Sequence, residues 1–419
     1  MTNIEPVFDE QQHLLDPYQQ PLDNYDVSNP FLFAHDVQEQ WFKRLRDEAP
    51  VHYCPESFSG AYWSVTRYED IMTVDTSHDI YSSEPTIVIR EPLEGFALPM
   101  FIAMDRPKHD EQRKVVAPVV GAQNLRNFEP IIRERTIDVL EHLPIGESFN
   151  WVDKVAIELT TRMLATLFDF PFADRSKLTY WSDVTTAIPG MGLIDSDEHR
   201  IQIMLECLEY FTGLWNERVN APQGNDFISM LAHGESTRNM EPQEYLGNLL
   251  LLIVGGNDTT RSTMSASVLT MHDNPQAFAK LVATPELIPS MVAETIRWQT
   301  PLAHMRRTAK VDTELGGKTI RAGEKVIMWY VSGNRDERVF ERPNEFIIDR
   351  ENVRKQLSFG FGIHRCMGNR LAELQLAILW EEILKRFERI EVVGEVERTV
   401  SNFVHGYTSL PVVLHPRKS

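Results

Sequence analysis

Cys366 has the strongest case for chemistry of any residue in this chain. It lies in Phe359-Gly360-Phe361-Gly362-Ile363-His364-Arg365-Cys366-Met367-Gly368, and an amphipathic run from Asn369 to Trp380 follows at once. Glycine on both sides of the cysteine lets the backbone turn tightly and lie close against something flat. A sulfur just before a helix meets unpaired backbone N–H groups and the positive end of the helix dipole, which favour thiolate over thiol. Thiolate is the form that ligates iron, and amide donors to the sulfur tune how strongly it pushes electron density onto the metal. A buried structural thiol is a second use of such a residue. A nucleophile with His364 as its base is a third, although residues two apart at a helix start usually point in different directions.

The other unusual polar groups interrupt an apolar run. Leu249-Leu250-Leu251-Leu252-Ile253-Val254-Gly255-Gly256-Asn257-Asp258-Thr259-Thr260 puts two glycines, a carboxylate and two hydroxyls in the middle of a helical pattern. Each glycine costs about 1 kcal/mol relative to alanine in a helix interior. The Thr259 hydroxyl can bond back to the Gly255 carbonyl, so the helix is expected to bulge or open there. An opening would make room for a small ligand and leave Asp258 and Thr259 able to hand protons inward.

The loop around Cys366 resembles the haem-binding loop of the cytochrome P450 family, and the further motifs follow in the family's order over essentially the whole chain. The resemblance implies haem b as cofactor, held through Cys366 on the iron and framed by Phe359, Gly360, His364 and Gly368. It places Gly255, Asp258 and Thr259 over the opposite haem face, Thr259 donating and Asp258 relaying protons to reduced dioxygen so that water can leave. Peroxide-driven relatives lack this acid and alcohol, so the pair implies O2 and external electrons. Arg307, His364, and His109 with Arg113 one helical turn on, match the propionate contacts, and Arg306 competes with its neighbour Arg307 for that role. Glu294 and Arg297 share a helix face. With Arg350 they match a buried network that supports the fold and the haem loop.

No flavin- or NAD-binding domain fits this length, and no GxGxxG follows a strand, so electrons are expected from another protein. The family's soluble bacterial members use an iron-sulfur ferredoxin with an NAD(P)H-dependent ferredoxin reductase. Docking such a usually acidic donor on this acidic chain asks for a locally basic face, for which Arg106, Lys108, Lys114, Arg354, Lys355, Arg365 and Arg370 are candidates. The segments 255–261, 297–307, 328–336 and 402–407 resemble the bacterial alkane and fatty-acid terminal hydroxylases. Positions expected near the pocket are apolar: Ile87 to Ile89, Leu98, Met100, Phe101, Ile188, Met191, Leu193, Leu251, Val254, Leu302, Met305 and Phe403. Such a tunnel binds hydrocarbon at roughly 0.8 kcal/mol per CH2, and attack on a terminal methyl requires that only the chain end reach the iron. The implied function is oxygen insertion from O2 into the terminal C–H bond of a medium-chain alkane or fatty acid. A P450 acting on a bulkier terpene, macrolide or steroid is the alternative, and a haem-binding sensor without turnover is a third reading.

Helical spacing over 124–143, 150–168, 199–219, 242–271 and 285–298 positions these groups. Strands are expected in 51–66, in 314–331 around Gly316-Gly317, and at 411–414. The fold class is therefore mainly α with small peripheral β-sheets, which the resemblance sharpens to a P450 fold with haem between a long distal helix and the proximal cysteine-loop helix. No linker or repeat divides residues 1–419, so one domain is expected, with about 1–25 a loosely ordered acidic segment. The net charge of −19, from 42 Lys+Arg against 61 Asp+Glu, argues against nucleic acid as partner. The polar, acidic N-terminus has no signal-peptide pattern, and the longest apolar run falls far short of the roughly 20 residues that span a bilayer. A cytoplasmic monomer without a membrane anchor is expected. Cys54 and Cys207 call for no more than packing.

Overall fold

The computed structural model describes residues 8–417. Its centre is the helix Pro242–Asp273, which starts with proline in its first turn and buries residues around nearly its whole circumference. A helix that is apolar or small on every side has to be wrapped. Helices Glu158–Leu167, Ser176–Thr186, Ile288–Gln299 and Asn369–Arg386 supply the wrapping. Leu246, Leu249, Leu250 and Ile253 face one apolar cluster with Leu164, Phe168 and Phe211, while Met264, Val268 and Met271 face a second with Leu379 and Trp380. The expected 150–168 helix begins as a π-helix over Val152–Ile157 and continues as α from Glu158.

The sheets are small and peripheral. The largest has five strands in the order Val51–Cys54, Tyr62–Val65, Lys325–Met328, Met305–Ala309 and Tyr81–Ser82, parallel only between the second and third. Within it Arg306 pairs with Ile327 and Arg307 with Val326, so the two arginines leave opposite faces. The expected Gly-Gly turn closes the hairpin Thr313–Leu315 and Lys318–Ile320. Pro411–Pro416 is the central strand of a three-stranded sheet, not an edge. No helix of the described residues is long and apolar enough to cross a membrane.

Residues 8–25 depart from the loosely ordered segment expected there; residues 1–7 of that segment lie outside the described residues. Three single turns of 3-10 helix, Gln12–Leu14, Pro17–Gln19 and Leu22–Asn24, lead to a buried Tyr25 whose ring packs 4.9 Å from Trp41. Arg44 donates to the carbonyls of Pro17 and Gln20. Buried aromatic and proline surface plus a charged donor to the backbone outweigh the segment's polar composition.

Glu294, Arg297 and Arg350 form the expected network. Arg297 forks onto Glu294 with two bonds of 2.8 Å, and Arg350 Nε lies 3.0 and 3.2 Å from the same carboxylate. The spare donors go to main-chain carbonyls, among them Asn334 at 2.8 Å and Glu345 at 2.8 Å. Asn334 in turn accepts from the Leu357 amide at 2.7 Å and donates to Ser358 Oγ at 2.9 Å, at the start of the cysteine loop. An exposed ion pair at this helix spacing is worth under about 1 kcal/mol. Burial changes that, because removing one partner strands a charge. Glu294→Ala is expected to lower unfolding stability in denaturant titration by about 3–5 kcal/mol, while an exposed control, Glu397→Ala, stays within about 0.5 kcal/mol of wild type.

Candidate functional site

The cysteine loop is held from both ends. The Cys366 amide donates to the Phe359 carbonyl at 2.8 Å, closing the loop on itself. Gly360 and Gly362 have φ of +63° and +66°, and a Cβ on Gly362 would lie 2.7 Å from the Asp75 carbonyl oxygen. These two glycines are required by conformation and by close approach. Asp75 is the loop's anchor: its carboxylate accepts from the Phe361 amide at 2.7 Å, Tyr330 Oη at 2.8 Å and Arg307 Nη2 at 2.8 Å. Gly368, expected to serve a tight turn, has an ordinary φ of −88°. Its missing side chain leaves room beside the sulfur, since a Cβ would stand 4.0 Å from Cys366 Sγ.

Helix Asn369–Arg386 starts immediately afterwards, and the amides of Gly368 and Asn369 bond to the sulfur. These donors favour the thiolate, as expected, but they do not act alone. Burial raises the thiol above its ordinary value and outweighs the two amides, Arg113 and Arg365. Cys366 is accessible through the internal cavity that it lines. A coordinated metal ion deprotonates such a thiol outright. Among the described residues no cluster of three or more His, Cys, Asp and Glu could hold a metal ion.

The cavity, about 740 Å3, has the long helix on its wall, where Gly255 and Thr259 line it together with Cys366. A Cβ on Gly255 would meet nothing within 4 Å, whereas one on Gly256 would strike Leu164 Cδ2 at 2.8 Å. The first glycine keeps the cavity wide and the second lets two helices touch. Thr259 Oγ1 donates to the Gly255 carbonyl at 2.9 Å, as expected, yet the segment is assigned α throughout. The hydroxyl adds its bond to that carbonyl without unwinding the helix.

Asp258, beside Thr259 in sequence, is fully buried and does not line the cavity. One helical step turns it toward Ser176–Thr186, where Ser182 Oγ donates at 3.1 Å and Thr186 Oγ1 lies 3.5 Å away. Arg261 Nη2 is 2.9 Å from the carboxylate and also binds Asp183. Thr186 itself lines the cavity, so a polar chain runs from the cavity through Thr186, Asp258 and Arg261 to the partly exposed Asp183. Burial raises the Asp258 carboxyl, Arg261 opposes the rise and Asp183 adds to it.

Basic side chains gather on the cysteine side. Arg113, Arg307 and His364 line the cavity. Arg306 turns away to Glu91 at 3.1 Å, so strand alternation separates the two arginines that sequence could not distinguish. His109 differs from expectation: it is buried off the cavity wall, its ring 4.1 Å from that of His364 and its Nδ1 bonded to Asp110 at 2.7 Å. His109 Nε2 and His364 Nδ1 are buried without partners. Burial, then Arg307, His109, Arg113 and His78, push His364 down to about 2. Crowded cations and orphaned ring nitrogens at one end of a cavity call for an anion, and the two propionates of a haem fit that demand.

Ile89, Leu98, Met100, Phe101, Ile188, Leu251, Val254, Leu302, Met305 and Phe403 all line the cavity, as do Ile87 and Val88. Met191 and Leu193 do not; they are 39% and 42% exposed on the loop before helix Asp197–Val219. Sequence reading missed Leu164, Thr186, Met204 and Arg200 on the wall, and Asp75 behind the loop. No motif marks these residues, because each reaches the site by helix packing or across the sheet.

The family described as Cytochrome P450 matches over residues 285–407. Linalool 8-monooxygenase of Pseudomonas putida is 34% identical over 410 residues, covering 94% of this chain and 100% of that protein. A methyl-branched lipid omega-hydroxylase of Mycobacterium tuberculosis is 28% identical, covering 90% and 91%. Among solved structures, cytochrome P450-153 from Novosphingobium aromaticivorans superposes with a TM-score of 0.88 at 48% identity, covering 93% of this chain and 99% of that one.

The buried acid has a consequence for stability. An acid whose folded-state value lies above its ordinary 3.8 binds more protons folded than unfolded, so stability falls as pH rises from about that value through the folded one. Asp258→Asn cannot titrate. Denaturant titrations at several pH values should therefore show the variant gaining on wild type as pH increases, with the difference level once Asp258 is fully ionised.

Proposed function

The chain belongs to the cytochrome P450 family and is a monooxygenase, and from that premise we propose that it inserts one oxygen atom of O2 into the terminal C–H bond of a medium-chain alkane or fatty acid. The observation that carries the reading is a single cavity with Cys366 and the propionate-matching cations at one side, Thr259 on the long helix, and an apolar lining for the remainder. The likeness to a methyl-branched lipid omega-hydroxylase, whose name denotes attack at a chain end, supports the terminal assignment.

Haem b is the family's cofactor, and when bound it supplies the reductive activation of dioxygen and the transfer of one oxygen atom to carbon. The other tasks belong to this chain's side chains. Cys366 would hold the iron, its sulfur steadied by the amides of Gly368 and Asn369. Arg113, Arg307 and His364 would hold the propionates, with His109 supporting His364. Thr259, anchored on the Gly255 carbonyl, would keep a hydroxyl beside the reacting oxygen. Asp258 would pass protons inward through Thr186 on the cavity side, while Arg261, itself bound to Asp183, holds its carboxylate on the outer side. The apolar wall would exclude water and present only the end of the chain.

Electrons would come from a ferredoxin with an NAD(P)H-dependent reductase, docking near the exposed Lys355, Arg365 and Arg370. Of the other basic candidates, Arg106 and Lys108 are paired with Asp110 and Glu244, at 2.6 and 2.8 Å. The absence of a membrane-spanning helix among the described residues agrees with a cytoplasmic location. A second reading, hydroxylation of a terpene-like hydrophobe, is favoured by the identity to linalool 8-monooxygenase.

The test is reconstitution with haem and a surrogate ferredoxin system. A ferrous CO spectrum with the red-shifted Soret band, lost in Cys366→Ala, is expected. Dodecane and dodecanoic acid should yield mainly terminal alcohols, and Thr259→Ala should divert most electrons to hydrogen peroxide at unchanged CO spectrum. Mainly subterminal alcohols, with efficient turnover of linalool, would replace the first reading by the second.

A further inference from the structure

Two cavity-lining arginines remain after the cations beside the cysteine are assigned. Arg90 follows Ile87 to Ile89 on the wall, and Arg200 lies in the first turn of helix Asp197–Val219, beside the lining residues Ala187 and Ile188. The Arg90 guanidinium lies 5.3 Å from the Phe58 ring, which packs 4.6 Å from Phe8, and both rings line the same cavity. Apolar surface thus surrounds a charged group where nothing in the monooxygenase reading so far uses it.

The local charge does not cancel. Asp197 is shared: Oδ2 is 3.4 Å from Arg90 Nη2, and Oδ1 is 3.6 Å from Arg200 Nη2. Two guanidinium groups against one carboxylate leave a net positive charge. Glu91, also on the wall, is committed to Arg306 at 3.1 Å and Lys325 at 3.0 Å. Arg200 donates to the Ala187 carbonyl, but its Nε is buried without a partner. Burial lowers the Arg200 value, with Arg90 adding to the fall and Asp197 resisting it. An under-partnered guanidinium fork in an apolar cavity has a natural complement in a carboxylate, which it can grip with two parallel bonds.

We propose that Arg200 and Arg90 bind the carboxylate of the substrate, so that the natural substrate is a medium-chain fatty acid whose hydrocarbon chain lies along the apolar wall. The proposal rests on the monooxygenase reading and narrows it from alkane or acid to acid. Arg200 supplies the unsatisfied donor, and Arg90 supplies charge from the neighbouring segment. Asp197 holds both arginines in place and sets the affinity by competing with the ligand.

The experiment uses the haem-loaded full chain and follows the substrate-induced Soret shift during titration with dodecanoate and with methyl dodecanoate, which differ in charge at one end. Wild type should bind the acid at least about tenfold tighter than the ester, as expected for a charge-assisted contact. Arg200→Met should reduce that ratio to about threefold or less, and Arg200→Lys should recover part of it. Asp197→Asn should increase the ratio, a gain that misfolding does not produce. Equal affinity of wild type for acid and ester, equal weakening of both by Arg200→Met, or a lower ratio in Asp197→Asn would overturn the proposal. A chain that oxidises dodecane terminally without preferring the acid loses only this inference. Loss of the red-shifted CO band would remove the monooxygenase reading itself.

Discussion

The cysteine loop hangs on one carboxylate. Asp75 accepts from the Phe361 amide inside the loop, from Tyr330 Oη and from Arg307, and its own backbone comes so close to Gly362 that a side chain there would clash, while the positive φ of Gly360 and Gly362 strains any side chain at either position. Fixing Phe361 fixes the turn that returns to Cys366 through its bond to the Phe359 carbonyl. The same carboxylate orients Arg307 into the cavity. Sulfur position and cation position are therefore set by a single group that the chain places nearly three hundred residues upstream of the cysteine.

Two charge clusters within this fold behave in opposite ways. Glu294, Arg297 and Arg350 are buried, and their carboxylate and guanidinium groups find one another or main-chain carbonyls. That cluster is closed, and it reaches the cysteine loop through Asn334. Arg113, Arg307, His364 and His109 gather with two ring nitrogens unpartnered and His364 driven far below its usual value. A closed cluster supports a fold, while an open one marks where a charged ligand completes the protein.

The long helix divides its work by direction. Thr259 lines the cavity, and Asp258 turns into the neighbouring helix, where burial makes ionisation costly. Acid and alcohol are adjacent in sequence but are joined in space through Thr186, a residue of another helix. The helix needs no break for this, because the two glycines already do the spatial work: Gly255 leaves the cavity open and Gly256 admits Leu164.

Residue types and spacing by themselves determined the mainly helical class, the Cys366 loop and the Gly255 to Thr259 run, because each depends on a local pattern or on a set of side chains with few other uses together; for Glu294 and Arg297 spacing supplied only a shared helix face, and the network with Arg350 came from the family resemblance. Of the apolar positions assigned to the pocket, all but Met191 and Leu193 line the cavity. Tertiary structure decided the rest. It separated Arg307 from Arg306 by strand alternation, moved His109 off the wall, put Met191 and Leu193 outside the cavity, and ordered residues 8–25 around Tyr25. It also reversed the balance at Cys366, where burial exceeds the pull of the helix start. Asp75, Thr186 and Arg200 were illegible because their roles come from which segment lies opposite, and sequence periodicity specifies the face of an element without specifying what that face will meet.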